Sequence, residues 1–405
     1  MTTDSITRSE ETGVTEASTA IASKTQWRRA FGLREMGVYY ALLLLVVVLA
    51  ATTSYLGSAN YLSVLNLTNV VYQSSLIAIM AVAMTVVLIS GNFDLSVASV
   101  AAFAATLLVG NADALGYWPA ALLALSAAMA IGLLNGAIVQ FVGINAFIVT
   151  LGTMTAVRGL VLIYTGGRSL SVSDSGVIAT MRAVESGRHD VFWIFVAFGL
   201  AILALGAFGL LRARIGRKPL RPAQVGLVIG GAAILLLCGA AGGELVVPNP
   251  VIYMTIFTLV TWFTLNFTIV GRRVYATGGN AEAARLSGIN VTLYKLMAFV
   301  FCSGAAGVSG ILFASRLRSI NPAALQGAEL TVIAAAILGG TSLFGGAGSV
   351  IKTLAGALLL YTLTNGFNIL NLGANWQGLI EGIVVVVAAA IYTVGGSKTK
   401  SKTGG

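Results

Sequence analysis

Charge is what this chain has least of. Only 9% of its residues are Asp, Glu, Lys or Arg, while 57% are hydrophobic and mean hydropathy is +0.91. Soluble proteins carry about 25% charged residues, so this chain cannot cover a water-facing surface. Histidine is scarcer still, His189 being the single copy. That removes the material for histidine metal sites and Ser-His catalysis, and His189 itself reads as a solvated loop residue. No GxxxxGK[ST], HExxH or GxSxG pattern is present, so any ATP that drives this protein is bound by another chain. Cysteine is down to Cys238 and Cys302. Both fall within hydrophobic segments as buried thiols, without a disulfide framework or metal spacing. The net charge of +10 does not point to nucleic acid, because most of the bases lie in short loops beside hydrophobic segments.

What the chain has in abundance is long apolar segments and glycine. Gly accounts for 48 of 405 residues, against an average near 7%, and small residues let membrane helices approach closely. The fold class is all-α, a polytopic membrane protein with about twelve segments. They cover 38–56, 69–90, 94–110, 118–142, 145–165, 191–211, 225–242, 250–270, 296–315, 329–346, 349–365 and 378–395, several near the roughly 20 residues that span a bilayer. Residues 1–36 read as a disordered cytoplasmic tail, and 396–405 as a cytoplasmic C-terminal tail. Lys24, Arg28, Arg29 and Arg34 precede the first segment and hold the N-terminus inside. Alternation then puts loops 212–224 and 271–295 inside, both rich in Arg and Lys, and loops 57–68, 111–117, 243–249 and 366–377 outside, with none. Loops 166–190 and 316–328 break the pattern. Trp118 and Trp376 stand at segment starts as interfacial anchors.

Between two apolar segments lies a polar island, Ala276–Asn290. Asn280 can cap a helix start, Glu282 sits in the positively polarised first turn, and Ala281, Ala283, Ala284, Arg285 and Leu286 favour helix. Gly288 can take the left-handed conformation that ends it. A helix of about two turns is marginal in water alone, so it serves either as a docking point or as a well-capped connection.

Polar groups interrupting apolar segments are functional candidates, because ionised side chains are costly in a membrane. Asp94, in Ser90–Val97, is either an N-cap for a helix starting at Leu95 or a solute contact. Glu329 opens one segment, and Glu381 lies a few residues into the last, with Lys352 or Arg158 as partners to consider. Leu338–Ser349 packs five glycines into twelve residues. It reads as a tight turn or broken helix, tolerated where backbone is buried in protein or lines a wet cavity, or as glycines fitting helix to helix. Its placement is like that of the Gly91–Asp94 break, relating 69–110 weakly to 329–365.

Gly91-Asn-Phe-Asp-Leu-Ser-Val97 resembles the GGxDLSVG motif of the permease subunits of monosaccharide ATP-binding-cassette importers of the ribose and xylose type. Asn135-Gly136, Ala146–Gly152, Arg158-Gly159, Thr165–Gly167, the 276–290 island, Glu329-Leu330 and Leu338–Val350 follow in that family's order, from about residue 60 to 393. Asn92, Ala98 and Ala146 depart from it, and 191–245 looks like an inserted hairpin.

The resemblance implies a bacterial inner-membrane, multi-pass permease domain (37–395) and a homodimer that forms the pathway. It also implies two ATPase domains carrying the ATP, an extracytoplasmic sugar-binding protein, and no cofactor on this chain. The cytoplasmic loop 271–295 would couple to the ATPase through Gly279, Asn280, Glu282, Ala283, Ala284, Arg285, Leu286 and Gly288. A neutral sugar needs hydrogen-bonding groups. Asn92, Thr150, Thr341, Ser342, Asn365 and Asn368 are therefore the lining candidates, while Asp94, Ser96, Glu329, Gly339 and Gly340 are candidates at broken-helix ends near the pathway. Arg168, Asp174, Glu185, Arg316 and Arg318 are expected to meet the binding protein. The function expected is import of a monosaccharide, with a pentose such as xylose or ribose favoured. The alternatives are an ion-coupled secondary transporter, or an importer permease for branched-chain amino acids or nucleosides; an intramembrane enzyme has little support.

Overall fold

A computed structural model describes residues 32–57, 60–216 and 222–371, with 379, 382 and 383. Trp376, Glu381, nearly all of segment 378–395 and both terminal tails, but for residues 32–36, lie outside the described residues. Among the described residues, ten helices are long and apolar enough to cross a membrane. The chain divides into two compact units, Met1–Tyr40 with His189–Val247, and Ala41–Arg188 with Pro248–Gly405.

Among its described residues the first unit is largely a pair of packed helices. Helix α7 (Phe192–Ile215) packs along α8 (Pro222–Ala240), with Gly206 against Val228 and Gly231 against Leu203. At its base β2 (Arg188–Asp190) pairs with β3 (Val246–Pro248).

The second unit is built round α2 (Val64–Ile89), which follows α1 (Leu33–Tyr55). Every residue of α2 from Ser74 to Ile89 is buried. A helix apolar on all sides is stable only when surrounded, and α2 packs against α9 (Asn249–Phe267), α12 (Val291–Leu317), α13 (Ala328–Leu338) and α14 (Val350–Ile369). Helix α12 also lies against α3 (Val97–Leu115) and α4 (Tyr117–Ala137), the latter extended by a π-helical turn at Ile138–Val142, while α5 (Ala146–Thr165) packs on α3. Hydrophobic attraction does not hold helices together in lipid; close backbone packing does. A Cβ at Gly310 would strike the Ala101 carbonyl, and one at Gly356 the Ala335 carbonyl.

One end of this unit carries β1 (Leu170–Ser171), antiparallel to β4 (Ser319–Ile320), and α6 (Ser175–Glu185). The other carries α10 (Ile269–Gly279) and α11 (Ala281–Leu286).

Two expectations need correcting. The expected segment 329–346 is only the eleven residues of α13; beyond Leu338 the chain turns, because its glycines favour turn geometry over helix. Residues 269–279, expected as the end of a span and a loop, form the helix α10, capped by Thr268 through Gly271 N–H.

Candidate functional site

The island 276–290 folds from its own caps. The Asn280 side chain accepts from Ala283 N–H at 2.9 Å. Gly288, at φ +78°, closes α11, and Ile289 N–H donates back to Ala284 O. Ala284 is the buried residue of α11, while Glu282, Ala283, Arg285, Leu286 and Gly288 are exposed. The helix therefore offers nearly its whole surface outward.

Beneath it three backbone segments meet. Gly346 N–H donates to Ile89 O at 2.9 Å. A Cβ placed on Gly346 would lie 2.6 Å from Gly279 Cα, and one on Gly278 would collide with the Ile89 carbonyl. Tyr275 adds a hydroxyl bond to Gly348 O at 2.8 Å, and burial pushes its phenol up from the ordinary value, so it stays a donor. The two glycine breaks noted in the sequence thus touch each other and the base of α11. Glycine is required here because only hydrogen lets backbones approach this closely.

Asp94 is wholly buried. Its Oδ1 accepts from Ser96 N–H at 2.9 Å and Ser96 Oγ at 2.5 Å. This is a turn ahead of α3, which starts at Val97 with Ser96 as its cap residue, not the expected cap of a helix starting at Leu95. Asn135 Nδ2 donates to Ser96 Oγ and Thr153 Oγ1 to Asn135 Oδ1 at 2.6 Å, joining α3, α4 and α5. Asp94 Oδ2 has no hydrogen-bond partner among the described residues. Asn92 is buried, its amide donating to Ser90 Oγ at 3.2 Å, and Thr150 bonds its own helix at Ala146 O.

A second break occurs halfway along the unit. Gly339 abuts Thr353, so α13 ends level with the first turn of α14, and eleven helical residues reach only about 16 Å back. The residues before it, 321–327, are unwound at that depth. Arg158 holds them, Nη1 donating to Ala324 O at 2.7 Å and Pro322 O at 3.4 Å. Glu329 begins α13 beside this loop, its Oε2 buried and unpartnered among the described residues. The sequence offered Arg158 as a partner for Glu381, which lies outside the described residues, and as part of the Arg158-Gly159 motif; the acceptors it has among the described residues are the Ala324 and Pro322 carbonyls.

The remaining candidates do not converge. Gly339, Gly340, Thr341 and Ser342 belong to the turn at the α11 end. Asn365 donates to Asn66 Oδ1 at 3.0 Å near the far end of α14, and Asn368 is exposed there. Thr153 and Asn66 were not singled out in the sequence, and Asn135 entered only through the Asn135-Gly136 motif, because a bond between residues on different helices leaves no local pattern.

The charges expected to face a binding protein sort differently. Glu185 is fully buried and accepts from Arg316 Nε and Tyr72 Oη, each at 2.6 Å. Ser186 Oγ donates to its other oxygen at 2.9 Å. Arg316 stacks 4.0 Å from the Tyr72 ring centroid and donates to Gln73 Oε1. Glu185 and Arg316 are thus committed to each other, because a buried carboxylate needs a cation. Asp174 caps α6 through Val177 N–H while staying exposed, and Arg168 is exposed.

Long buried helices, unwound backbone between them and an exposed, self-capped helix at one end are the features of a polytopic membrane protein. Comparison with known proteins agrees. The chain belongs to the family described as the branched-chain amino acid transport system permease component, which it matches over residues 66–389. It is 35% identical to the ribose import permease protein RbsC of Escherichia coli strain K12 over 338 residues, 82% of this chain and 87% of that one. It is 34% identical to the xylose transport system permease protein XylH of the same strain, over 81% of this chain and 84% of that one. The Haemophilus influenzae xylose permease is 31% identical over 87% of this chain and 96% of its own length. No solved structure matches.

Proposed function

We propose that the chain is the membrane-spanning subunit of an ATP-driven importer that carries a monosaccharide, a pentose such as xylose or ribose. Two copies line the pathway, an extracytoplasmic binding protein delivers the sugar, and two ATPase domains on partner chains hold the ATP. The observation that carries this reading is similarity to ribose and xylose permeases along more than four-fifths of the chain. The charge pattern supports placing the α11 end, both termini and loop 271–295 in the cytoplasm, with 378–395 completing about twelve segments and 191–245 inserted as a hairpin. Helix α11 then docks into the ATPase. Closure of the ATPases pulls on α11, and the glycine contacts under it lead that pull to the ends of α2 and α13. Asp94, in the turn that links α2 to α3, and the unwound stretch that Arg158 holds ahead of α13 are where a neutral solute would find hydrogen-bonding groups.

The test is uptake of labelled xylose and ribose by cells with the intact system. Uptake should stop on ATP depletion and survive collapse of the membrane potential. The reverse pattern would make the protein an ion-coupled transporter, with Asp94, Glu329 or Glu381 as proton carriers.

A further inference from the structure

We propose that the turn Ser342–Ala347, with Phe344 at its tip, is a second docking point for the ATPase beside α11, a proposal that rests on the coupling role of α11. Phe344 is 93% exposed and Leu286 of α11 is 85% exposed. Large apolar side chains this open are unremarkable on a lipid-facing wall, but this pair stands beside exposed polar residues of α11. Glu282, Arg285 and Ser287 of α11 are all exposed, so this end faces water and not hydrocarbon.

The turn is built to hold Phe344 out. Ser342 N–H closes it on Ala347 O at 2.9 Å, and Ser342 Oγ accepts from Phe344 N–H at 3.2 Å. Gly345 and Gly346 follow with φ of +85° and +71°, and Gly346 is pinned to Ile89 O. The backbone is fastened on both sides of a side chain that stays in the open. Such preorganisation lowers the ordering cost of binding, and exposed aromatics on rigid supports are the residues that dominate interfaces.

Continuity with α11 selects the occupant. Gly345 and Gly346 pack on Gly278 and Gly279, and Asn280, the next residue, caps α11. A partner seated on α11 therefore has the Phe344 turn at its edge. The partner surface that fits is an apolar pocket beside the groove that takes α11. Two grips would let one ATPase movement act on α11 and on the α13–α14 turn together.

The experiment uses the complete complex with its ATPase, in a Cys238→Ala, Cys302→Ala background. Single cysteines are placed at Ser287 and at Phe344, cross-linked in native membranes, and the captured chain is identified by mass. The expected result is ATPase captured from both positions. In addition, Phe344→Ala should weaken assembly with the ATPase by about 30-fold, the factor for a truncation of about 2 kcal/mol. Capture at Ser287 with none at Phe344 would overturn the second docking point and leave the coupling role of α11 standing; so would labelling of Phe344→Cys by a lipid-phase reagent alone. Capture at neither position would remove both.

Discussion

The two ends of the larger unit fasten their loops by opposite means. At the β1–β4 end, a buried carboxylate does it: Glu185 on α6 takes hydrogen bonds from Arg316 on α12 and Tyr72 on α2. At the α11 end the fastening is mainly backbone on backbone, Gly346 to Ile89 and Gly279, with side chains added by Tyr275, whose hydroxyl reaches Gly348, and Arg273, which donates to Tyr294. An ionic cluster is stiff, because either partner left alone is an uncompensated buried charge. A glycine contact holds through shape and can shift without stranding a charge. The ionic end therefore suits a fixed frame, and the glycine end a joint that is pulled.

The largest effect should come from breaking the ionic end. Arg316→Ala leaves Glu185 buried without its cation and should cost about 3–5 kcal/mol. Thermal unfolding of the purified protein would show it as a large fall in midpoint, with little folded protein recovered from membranes. An unchanged midpoint would mean that the pair is not the brace of this end. Breaking the other end should give a different phenotype. Gly278→Ala forces the Ile89 carbonyl and α10 apart, an overpacking change of about 1–3 kcal/mol. The protein should reach the membrane and bind its ATPase, while ATP hydrolysis no longer drives uptake. If Gly278→Ala instead merely unfolds like Arg316→Ala, the two ends do not differ in kind.

How much of this was legible in the sequence follows the same division. Capping is local, so Asn280 and Gly288 announced α11, and the charge-poor apolar runs, read as about twelve segments, include the ten membrane-length helices found among the described residues. Helix α10 was missed because Ile269–Gly279 holds two arginines and three glycines. Its helix depends on docking, with Val274 and Thr277 buried and Tyr275 bonded to Gly348. Segment 329–346 was drawn too long because hydropathy counts Leu343 and Phe344 as membrane residues, whereas Phe344 stands at an open turn. Glu185 looked like a solvated loop charge because its cation lies 131 residues away, beyond any local pattern. The pathway candidates were the least legible. Apart from the glycines of the Leu338–Ser349 break, they were chosen as polar residues in or beside apolar runs, and that criterion cannot tell a residue serving its own helix, such as Thr150, from one serving a solute.

The smallest effect tests whether α11 transmits by being rigid. Asn280→Ala removes the acceptor for Ala283 N–H and should cost about 1 kcal/mol, nearly all of it within α11. Global stability should barely move, because Ala284 is the sole residue of α11 that is buried. Amide exchange at residues 281–286 should rise by about fivefold, the factor that corresponds to 1 kcal/mol. If α11 works as a stiff lever, uptake per ATP hydrolysed should fall by a comparable, partial factor, in contrast to the full uncoupling expected from Gly278→Ala. Asn280→Asp, which keeps the acceptor and adds charge at a helix N-terminus, should restore it. Uptake unaffected by Asn280→Ala, despite faster exchange, would place the transmitting element in the glycine joint below and leave α11 as a passive foot.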